Sequence, residues 1–260
     1  MDVPRSSAVA AAVADGTPIL VLSAHLDDAI LSCGGLLTAV AERCPLTVAT
    51  VFTAAAPPPH THAARSFLRQ CSASDAATLF ADRRTEDHKV LGDLGARLLH
   101  LGATDALFRV RSAGLGPLGR ALPELVHRYP TYRFDIAKGR VSRGDRRLTT
   151  DLTREVTRLV DESGARLVLA PVGVGRHVDH LITRATGTGQ WVDVVYYSDF
   201  PYDRTGAPDL TFLDRHGLEP WSWEHTDSKE SLIRGYRTQV DALFPGGRIP
   251  LGPETYFEPG

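Results

Sequence analysis

The chain has 260 residues, 43% of them hydrophobic, which is enough to bury a full core and excludes disordered and fibrous proteins. Its 29 basic and 31 acidic side chains argue against a nucleic-acid partner, because proteins that bind phosphates need a positive excess. The sequence contains no apolar stretch typical of a membrane span or an export signal, so we expect no membrane partner.

The first part of the chain predicts a strand, a helix and a second strand. An apolar run over residues 19–24 ends at a polar cluster, and helical apolar spacing follows over residues 30–41. A β-branched run over residues 46–52 predicts the next strand. Because only one helix fits between these strands, we expect a right-handed βαβ unit with a parallel, buried sheet.

The middle of the chain predicts further helices and a basic surface segment. A proline-rich loop covers residues 53–61, and a third strand covers residues 97–101. Residues 133–148 contain six basic side chains and two glycines, Gly139 and Gly144, typical of a solvated hairpin or loop excursion. Helical apolar spacing occurs at residues 63–81, 86–94 and 118–129.

The last part of the chain resumes the alternation of strands and helices. Proline- and aromatic-rich connecting structure is predicted over residues 201–223. Because the sequence shows no repeat and no linker, we expect residues 1–260 to form a single Rossmann-like α/β domain with a mostly parallel sheet flanked by helices. The predicted helices are residues 152–162 and 228–244, and the predicted strands are residues 166–170 and 191–197.

A polar cluster follows the first strand, where open parallel sheets bind ligands. If a helix begins here, His25 and Asp28 are three residues apart, face the same way and could share a metal ion, while Asp27 points to the side. The alternative is that one of the two aspartates only caps the helix.

A second cluster follows the strand over residues 166–170 and contains His177, Asp179 and His180. Either histidine could approach a metal ion held by His25 and Asp28. The Gly-x-Gly before them lacks the third glycine of a dinucleotide fingerprint. Two such clusters at two strand ends favour a joint metal site over two separate structural roles.

Two histidines and one carboxylate are typical of a hydrolytic zinc site with open coordination positions. Asp27 could accept a proton from water at the metal, and a histidine of the second cluster could stabilise an oxyanion or protonate a leaving amine. These residue types predict an amide hydrolase.

The two clusters resemble the signatures of the LmbE-like, or PIG-L, family of zinc-dependent N-deacetylases. Residues 24–29 are similar to its AHPDDE signature, with Leu26 in place of proline and Ala29 in place of glutamate. Residues 177–180 match its HxDH signature. Shorter similarities lie at residues 83–87, 99–105, 196–202 and 229–244.

The resemblance implies roles for individual residues. The metal ligands would be His25, Asp28 and His180, and the general base would be Asp27. The charged group that faces the oxyanion would be His177, tuned by Asp179. Residues near the sugar-binding cleft would be Arg84, Asp105, Tyr202 and Asp199. For Arg84 and Asp105 the alternative is a structural ion pair. Tyr196 or Tyr197 is expected in the core.

We therefore expect Zn²⁺ as cofactor and a small-molecule N-acylated substrate, with the acetyl group of a neutral amino sugar or its glycoside as the leading expectation. A basic segment folded over the site would favour an anionic substrate instead. The alternatives are a zinc amidase or ring-closing enzyme acting on another natural-product or thiol conjugate, and a non-catalytic binding protein if the metal site were incomplete. The scattered cysteines Cys33, Cys44 and Cys71 suit a cytoplasmic protein of secondary metabolism, and the chain is compatible with a homo-oligomer.

Overall fold

A computed structural model of the chain describes residues 4, 7–111, 119 and 121–260. Seven strands form one sheet: β1 (Ile19–Ser23), β2 (Leu46–Ala54), β3 (Arg97–Thr104), β4 (Leu167–Pro171), β5 (Asp193–Tyr197), β6 (Leu218–Trp223) and β7 (Glu254–Pro259). Their order is β3-β2-β1-β4-β5-β7-β6. The first five strands are parallel, and β7 runs antiparallel to β5 and β6. The predicted α/β fold with a mostly parallel sheet is confirmed.

Helices cover both faces of this sheet. The α-helices of the described residues are α1 (Ala8–Asp15), α2 (Asp28–Ala41), α3 (His62–Gln70), α4 (Ala76–Asp93), α5 (Arg146–Ser163), α6 (Val178–Thr188), α7 (Leu210–His216), α8 (Lys229–Ile233) and α9 (Arg237–Leu243). In the part of the chain that the structure describes, no helix combines the length and apolar character that a membrane crossing requires.

Strand β1 shows why the sequence reads as a continuous apolar run. Successive side chains of a strand point to opposite faces of the sheet. Ile19 and Val21 pack in the core cluster that contains α2, whereas Leu20 and Leu22 pack in the cluster that contains α5. Both faces of β1 are therefore buried, and its sequence does not alternate between apolar and polar residues.

The helical segments after β2 and before β7 differ from the sequence prediction in their bounds. The break between α3 and α4 lies at residues 71–75, where Ser72 has a left-handed φ of 52° and the Asp75 carboxylate caps α4 through the Thr78 N–H at 2.8 Å. The single helix predicted over residues 228–244 is two helices, α8 and α9. Gly235 lies between them, and a Cβ there would lie 2.3 Å from Val90 Cγ2, so only glycine allows this close approach.

Two predicted segments have a different secondary structure. Of the helix predicted over residues 118–129, residues 118 and 120 lie outside the described residues, Gly119 and Ala121 are helical, and the 3₁₀ turn Pro123–Leu125 follows. Pro123 has no N–H and disfavours the helical conformation of the residue before it. The basic segment is not a hairpin: it contains the π-helical turn Tyr132–Ile136 and the 3₁₀ turn Arg143–Asp145.

Four elements were absent from the prediction, among them α7, which lies in the stretch expected to be connecting structure. Strand β6 lies in the stretch expected to be connecting structure, and its Pro220 pairs with Phe257 of the antiparallel partner β7. Strand β7 and helix α1 were not predicted at all. Together β6 and β7 extend the parallel sheet by an antiparallel edge beyond β5.

Candidate metal centre

The two polar clusters meet at one edge of the sheet. Strands β1 and β4 are parallel neighbours, with Ile19 opposite Leu167 and Val21 opposite Leu169. Their carboxyl ends therefore lie side by side, and the residues that follow them share one site. At the start of α2 the Asp27 side chain makes no capping hydrogen bond, so the helix-capping alternative does not account for it.

Three donor atoms converge at this edge. Asp28 Oδ2 lies 3.1 Å from His25 Nδ1 and 3.3 Å from His180 Nε2. Two ligands of one tetrahedral zinc ion are about 3.3 Å apart, since zinc bonds to nitrogen or oxygen measure about 2.0–2.2 Å. Within the described residues His180 Nε2 is buried without a hydrogen-bond partner, which also fits a bound cation.

The structure brings other potential ligands to the same place. One ring nitrogen from each of His25, His177 and His180 lies within 4.8 Å of the others, and so do donor atoms of His25, Asp105 and Asp179. All of these atoms belong to buried or half-buried side chains. The hydrogen bonds that Asp179 and Asp199 make indicate which of these side chains could bind a metal ion and which orient the others.

Asp199 fixes the orientation of His180. Its Oδ1 lies 2.5 Å from His180 Nδ1, and its Oδ2 accepts the backbone N–H groups of Gly173 and Val174, each at 2.7 Å. An ionised carboxylate only accepts hydrogen bonds, so Nδ1 of His180 carries the proton and Nε2 presents its lone pair to Asp28 and the centre. Asp199 was expected to line the cleft; here it orients a candidate ligand.

Asp179 acts in the same way on His25. Its Oδ2 lies 3.3 Å from His25 Nε2 and accepts the Ala106 N–H at 2.8 Å, while its Oδ1 accepts a hydrogen bond from Arg109. The proton on His25 Nε2 thus faces Asp179, and Nδ1 faces Asp28. The Asp179 carboxylate bonds to His25 and Arg109, and against the larger effect of burial its charge also raises the pKa of His177, so the tuning role that the resemblance implies for Asp179 stays a prediction.

His177 carries its proton on the other ring nitrogen. Its Nδ1 accepts the Asp179 backbone N–H at 3.2 Å, which leaves Nε2 as the N–H donor. Burial lowers the pKa of His177 well below 6.5, and the neighbouring His25 lowers it further. The arrangement favours a neutral hydrogen-bond donor in place of the charged group expected from the sequence.

Asp27 lies beside the converging donors without joining them. Its Oδ1 is 3.4 Å from Arg83 Nη2, and both side chains are buried. Burial raises the pKa of Asp27 to about 6, although Arg83 opposes the shift. The carboxylate is therefore ionised at neutral pH and is more basic than an exposed aspartate.

The centre as a whole favours positive charge. Burial alone would lower the pKa of His25, but hydrogen bonds to Asp179 and Asp28 raise it well above 6.5. Burial alone would raise the pKa of Asp28, but His180 and His25 hold it well below its usual range. Ionised carboxylates in a dry site that prefer a cationic neighbour are suited to a metal ion.

A cavity of about 670 Å³ opens from this centre and contains two of the three predicted substrate-binding residues. Asp105 and Tyr202 line it, together with His25, Asp27, Asp28 and His177. Arg84 does not line this cavity: its Nη1 donates to the Thr53 carbonyl at 2.8 Å, and Arg83 lines the cavity instead. Tyr196 and Tyr197 are buried, as expected for core positions.

A second buried cation of the site, Arg109, was not predicted from the sequence. Arg109 bonds to Asp179 on one side and to Asp145 Oδ2, at 2.8 Å, on the other, and it donates twice to the Thr104 carbonyl at 3.0 and 2.8 Å. Its guanidinium also lies 4.8 Å from the centre of the Phe52 ring. A single arginine between apolar residues carries no sequence signal that distinguishes it from a surface residue.

We expect Arg109→Met to lower the free energy of unfolding by about 3–5 kcal/mol, because it leaves the buried Asp179 without its arginine and leaves Asp145 with Arg128 alone. Urea unfolding followed by circular dichroism measures this. The matched control is Arg158→Met, which removes an exposed arginine from its pairs with Glu155 and Glu162 and should change stability far less. Equal, small losses in both variants would contradict a structural role for Arg109.

Comparisons with known proteins agree with this geometry. The family described as PIG-L: GlcNAc-PI de-N-acetylase matches residues 20–189, a range that includes both clusters. The chain is 29% identical over 235 residues to 2'-N-acetylparomamine deacetylase of Streptomyces fradiae, which covers 85% of this chain and 73% of the relative.

Two solved structures share the fold over most of their length. The zinc-inhibited form of teicoplanin deacetylase superposes with a TM-score of 0.69 and 25% identity, covering 92% of this chain and 97% of that one. The complex of the deacetylase with teicoplanin gives a TM-score of 0.69 and 27% identity, covering 93% and 97%.

Proposed function

The chain belongs to the PIG-L family, and from this premise we propose that it is a zinc-dependent N-deacetylase whose substrate is a small molecule carrying an N-acetylated amino sugar. The observation that carries the proposal is the convergence of His25 Nδ1, Asp28 Oδ2 and His180 Nε2 at one end of the cavity, with Asp27 beside them. Relatives named for N-acetylparomamine and teicoplanin support an amino-sugar-containing natural product.

We assign His25, Asp28 and His180 as the residues that would hold the zinc ion. Two imidazoles and one carboxylate leave coordination positions for water and substrate, as in hydrolytic zinc sites. When bound, zinc supplies Lewis acidity that polarises a carbonyl group and makes water more acidic. Asp179 and Asp199 hold the two imidazoles in the required orientation.

Asp27 is the general base of the proposed reaction. It accepts a proton from the water that attacks the amide carbon, and its pKa of about 6 suits this transfer near neutral pH. When the C–N bond breaks, the proton passes to the leaving amine. The products are acetate and the free amino sugar.

His177 is the donor toward the carbonyl oxygen. Its Nδ1 is held by the Asp179 backbone N–H, so its Nε2–H is fixed in the donor tautomer before substrate binds. A preorganised donor stabilises the negative charge that develops on this oxygen in the transition state. A neutral imidazole can fill this role, and burial lowers the pKa of His177 and so favours the neutral form.

The test is acetate release from neutral N-acetyl amino sugars, N-acetylated antibiotic-type glycosides and anionic analogues, each at two ionic strengths. We expect turnover of neutral substrates with little salt dependence, because screening weakens only exposed electrostatic attraction. Turnover confined to anionic substrates and suppressed by salt would contradict the neutral substrate. Failure to release acetate from any of them would contradict deacetylation and favour another amide or a ring-closing reaction.

We also propose a cytoplasmic location. Cys33, Cys44 and Cys71 are free thiols in the structure, and two of them are buried. Unpaired cysteines suit a reducing compartment.

A further inference from the structure

The segment that carries the basic residues forms one wall of the cavity. Residues 130–134 line it, and of the six basic side chains between residues 133 and 147 only Arg133 is among the lining residues. The aromatic neighbours of Arg133 are unusually accessible: Tyr132 is 43% exposed and Phe134 is 69% exposed. The Tyr132 ring lies 6.0 Å from the His177 ring, so Tyr132 is close to the metal centre, and Phe134 lines the same cavity.

This wall is fixed to the metal centre at its base. The Tyr129 hydroxyl donates to Asp145 Oδ2 at 2.7 Å and accepts the Ser142 N–H at 2.9 Å, so both ends of the segment are joined. Asp145 also binds Arg109, which in turn binds Asp179 beside His25. The segment is therefore held in position relative to the candidate zinc ligands.

Two helices contribute apolar side chains to the cavity beside the polar residues His62, Ser66, Gln70 and Gln239. Helix α3 presents Ala63 and Phe67, one turn apart, and helix α9 presents Ala242 and Leu243. Large uncovered aromatic side chains that line a cavity together with such apolar residues are typical of binding sites, because isolated proteins rarely leave extended apolar surface in water. The part of the cavity lined by Tyr132 and Phe134, its far part, suits an apolar group.

The charges of the cavity exclude strongly ionic occupants of this far part. Four acidic and two basic side chains line the cavity among the described residues. Asp27, Asp28 and Asp105 belong to the metal centre, and Arg83 pairs with Asp27. Away from the centre a polycation would meet one carboxylate, Glu124, and a polyanion would meet one guanidinium, Arg133.

We propose that Tyr132 and Phe134 form an aromatic platform for the aglycone of the substrate, and that the preferred substrate is a neutral N-acetylglucosaminide with an aromatic aglycone. This inference rests on the proposed function, because it places the acetamido group at the metal centre and the aglycone at the other end of the cavity. Aromatic rings attract each other beyond the effect of area burial, and such a contact changes affinity by about 2- to 12-fold.

The experiment compares an aryl N-acetyl-β-glucosaminide with free N-acetylglucosamine and 2'-N-acetylparomamine. We expect the highest kcat/KM for the aryl glycoside. In Phe134→Ala the selectivity for the aryl glycoside over the free sugar should fall by about 3- to 10-fold, through KM rather than kcat. The matched control is Trp191→Ala, which removes an aromatic side chain that is 59% exposed and does not line the cavity, and the selectivity should stay at the wild-type value.

A binding measurement separates recognition from turnover. Calorimetry with Asp27→Asn protein should show tighter binding of the aryl glycoside than of the free sugar, and the added Phe134→Ala substitution should remove most of the difference. Acetate release from all three substrates at similar kcat/KM would overturn the aromatic platform but would remain consistent with the proposed deacetylase function. A preference for 2'-N-acetylparomamine would also overturn the aromatic platform, as would a preference for an anionic aglycone that is lost in Arg133→Gln. Failure to release acetate from any substrate would instead contradict the proposed function.

Discussion

Replacing Asp27 with asparagine should leave zinc bound and lower kcat by about 10²- to 10⁴-fold, the usual contribution of a general base. Asparagine has nearly the same shape and can still face Arg83, but its amide cannot accept the proton of the attacking water. The variant should therefore keep its zinc content and lose acetate release. Zinc content measured by mass spectrometry and acetate release measured on the same protein preparation test this.

The matched control for this substitution is Asp93→Asn, in which an exposed carboxylate paired with Lys89 is changed in the same way. It should retain both zinc and activity. Comparable turnover in Asp27→Asn and wild-type protein would remove Asp27 from the mechanism. Loss of zinc in Asp27→Asn would make it a ligand rather than a base.

Removing either His180 or Asp28 should abolish stoichiometric zinc binding, whereas removing His177 should not. His180→Ala and Asp28→Ala each delete one of three donor atoms that lie 3.1–3.3 Å from their neighbours, and two protein ligands hold zinc far less tightly than three. His177→Ala deletes a hydrogen-bond donor and should lower kcat by about 10²- to 10³-fold with zinc retained.

Metal analysis after dialysis distinguishes the two histidines directly. Zinc retained in His180→Ala but lost in His177→Ala would reverse their assignment. This comparison matters because i, i+3 spacing alone leaves both histidines as candidates, whereas the structure favours His180 through its 3.3 Å distance from Asp28 and its hydrogen bond to Asp199.

The location of the site follows from sequence patterns that depend on local structure. His25 and His180 could be found because each follows a short apolar strand, and the carboxyl ends of neighbouring parallel strands meet. The fold class follows from the same alternation of strands and helices. Both features are set by residues close to one another in the chain.

The residues that the sequence reading missed act through contacts between distant segments. Arg109 meets Asp145 and Asp179, 36 and 70 residues away, and nothing in its own neighbourhood marks it as buried. Asp199 could be assigned to the cleft but not to His180, since that contact depends on the packing of β5 beside β4. The antiparallel edge was missed because Pro220 lies inside β6, and proline argues against a strand.

The contribution of the basic segment to the cavity wall also could not be predicted from the sequence. Its charge predicts solvation correctly for most of its cations, but the composition does not show that Tyr132 and Phe134 line the cavity. Helix α1 and strand β7 each carry a signal in the sequence. Ser7 and Gly16 flank α1 as an N-cap and a C-terminal glycine, and β7 contains a run of aromatic and β-branched residues.

The most direct test of the central claim is a zinc titration of metal-depleted protein with acetate release as the readout. We expect negligible turnover of an N-acetylglucosaminide without metal, and activity that rises to a plateau at about one zinc per chain. The same titration of His180→Ala should give no plateau. Full acetate release by metal-depleted wild-type protein would contradict a zinc-dependent deacetylase built on His25, Asp28 and His180.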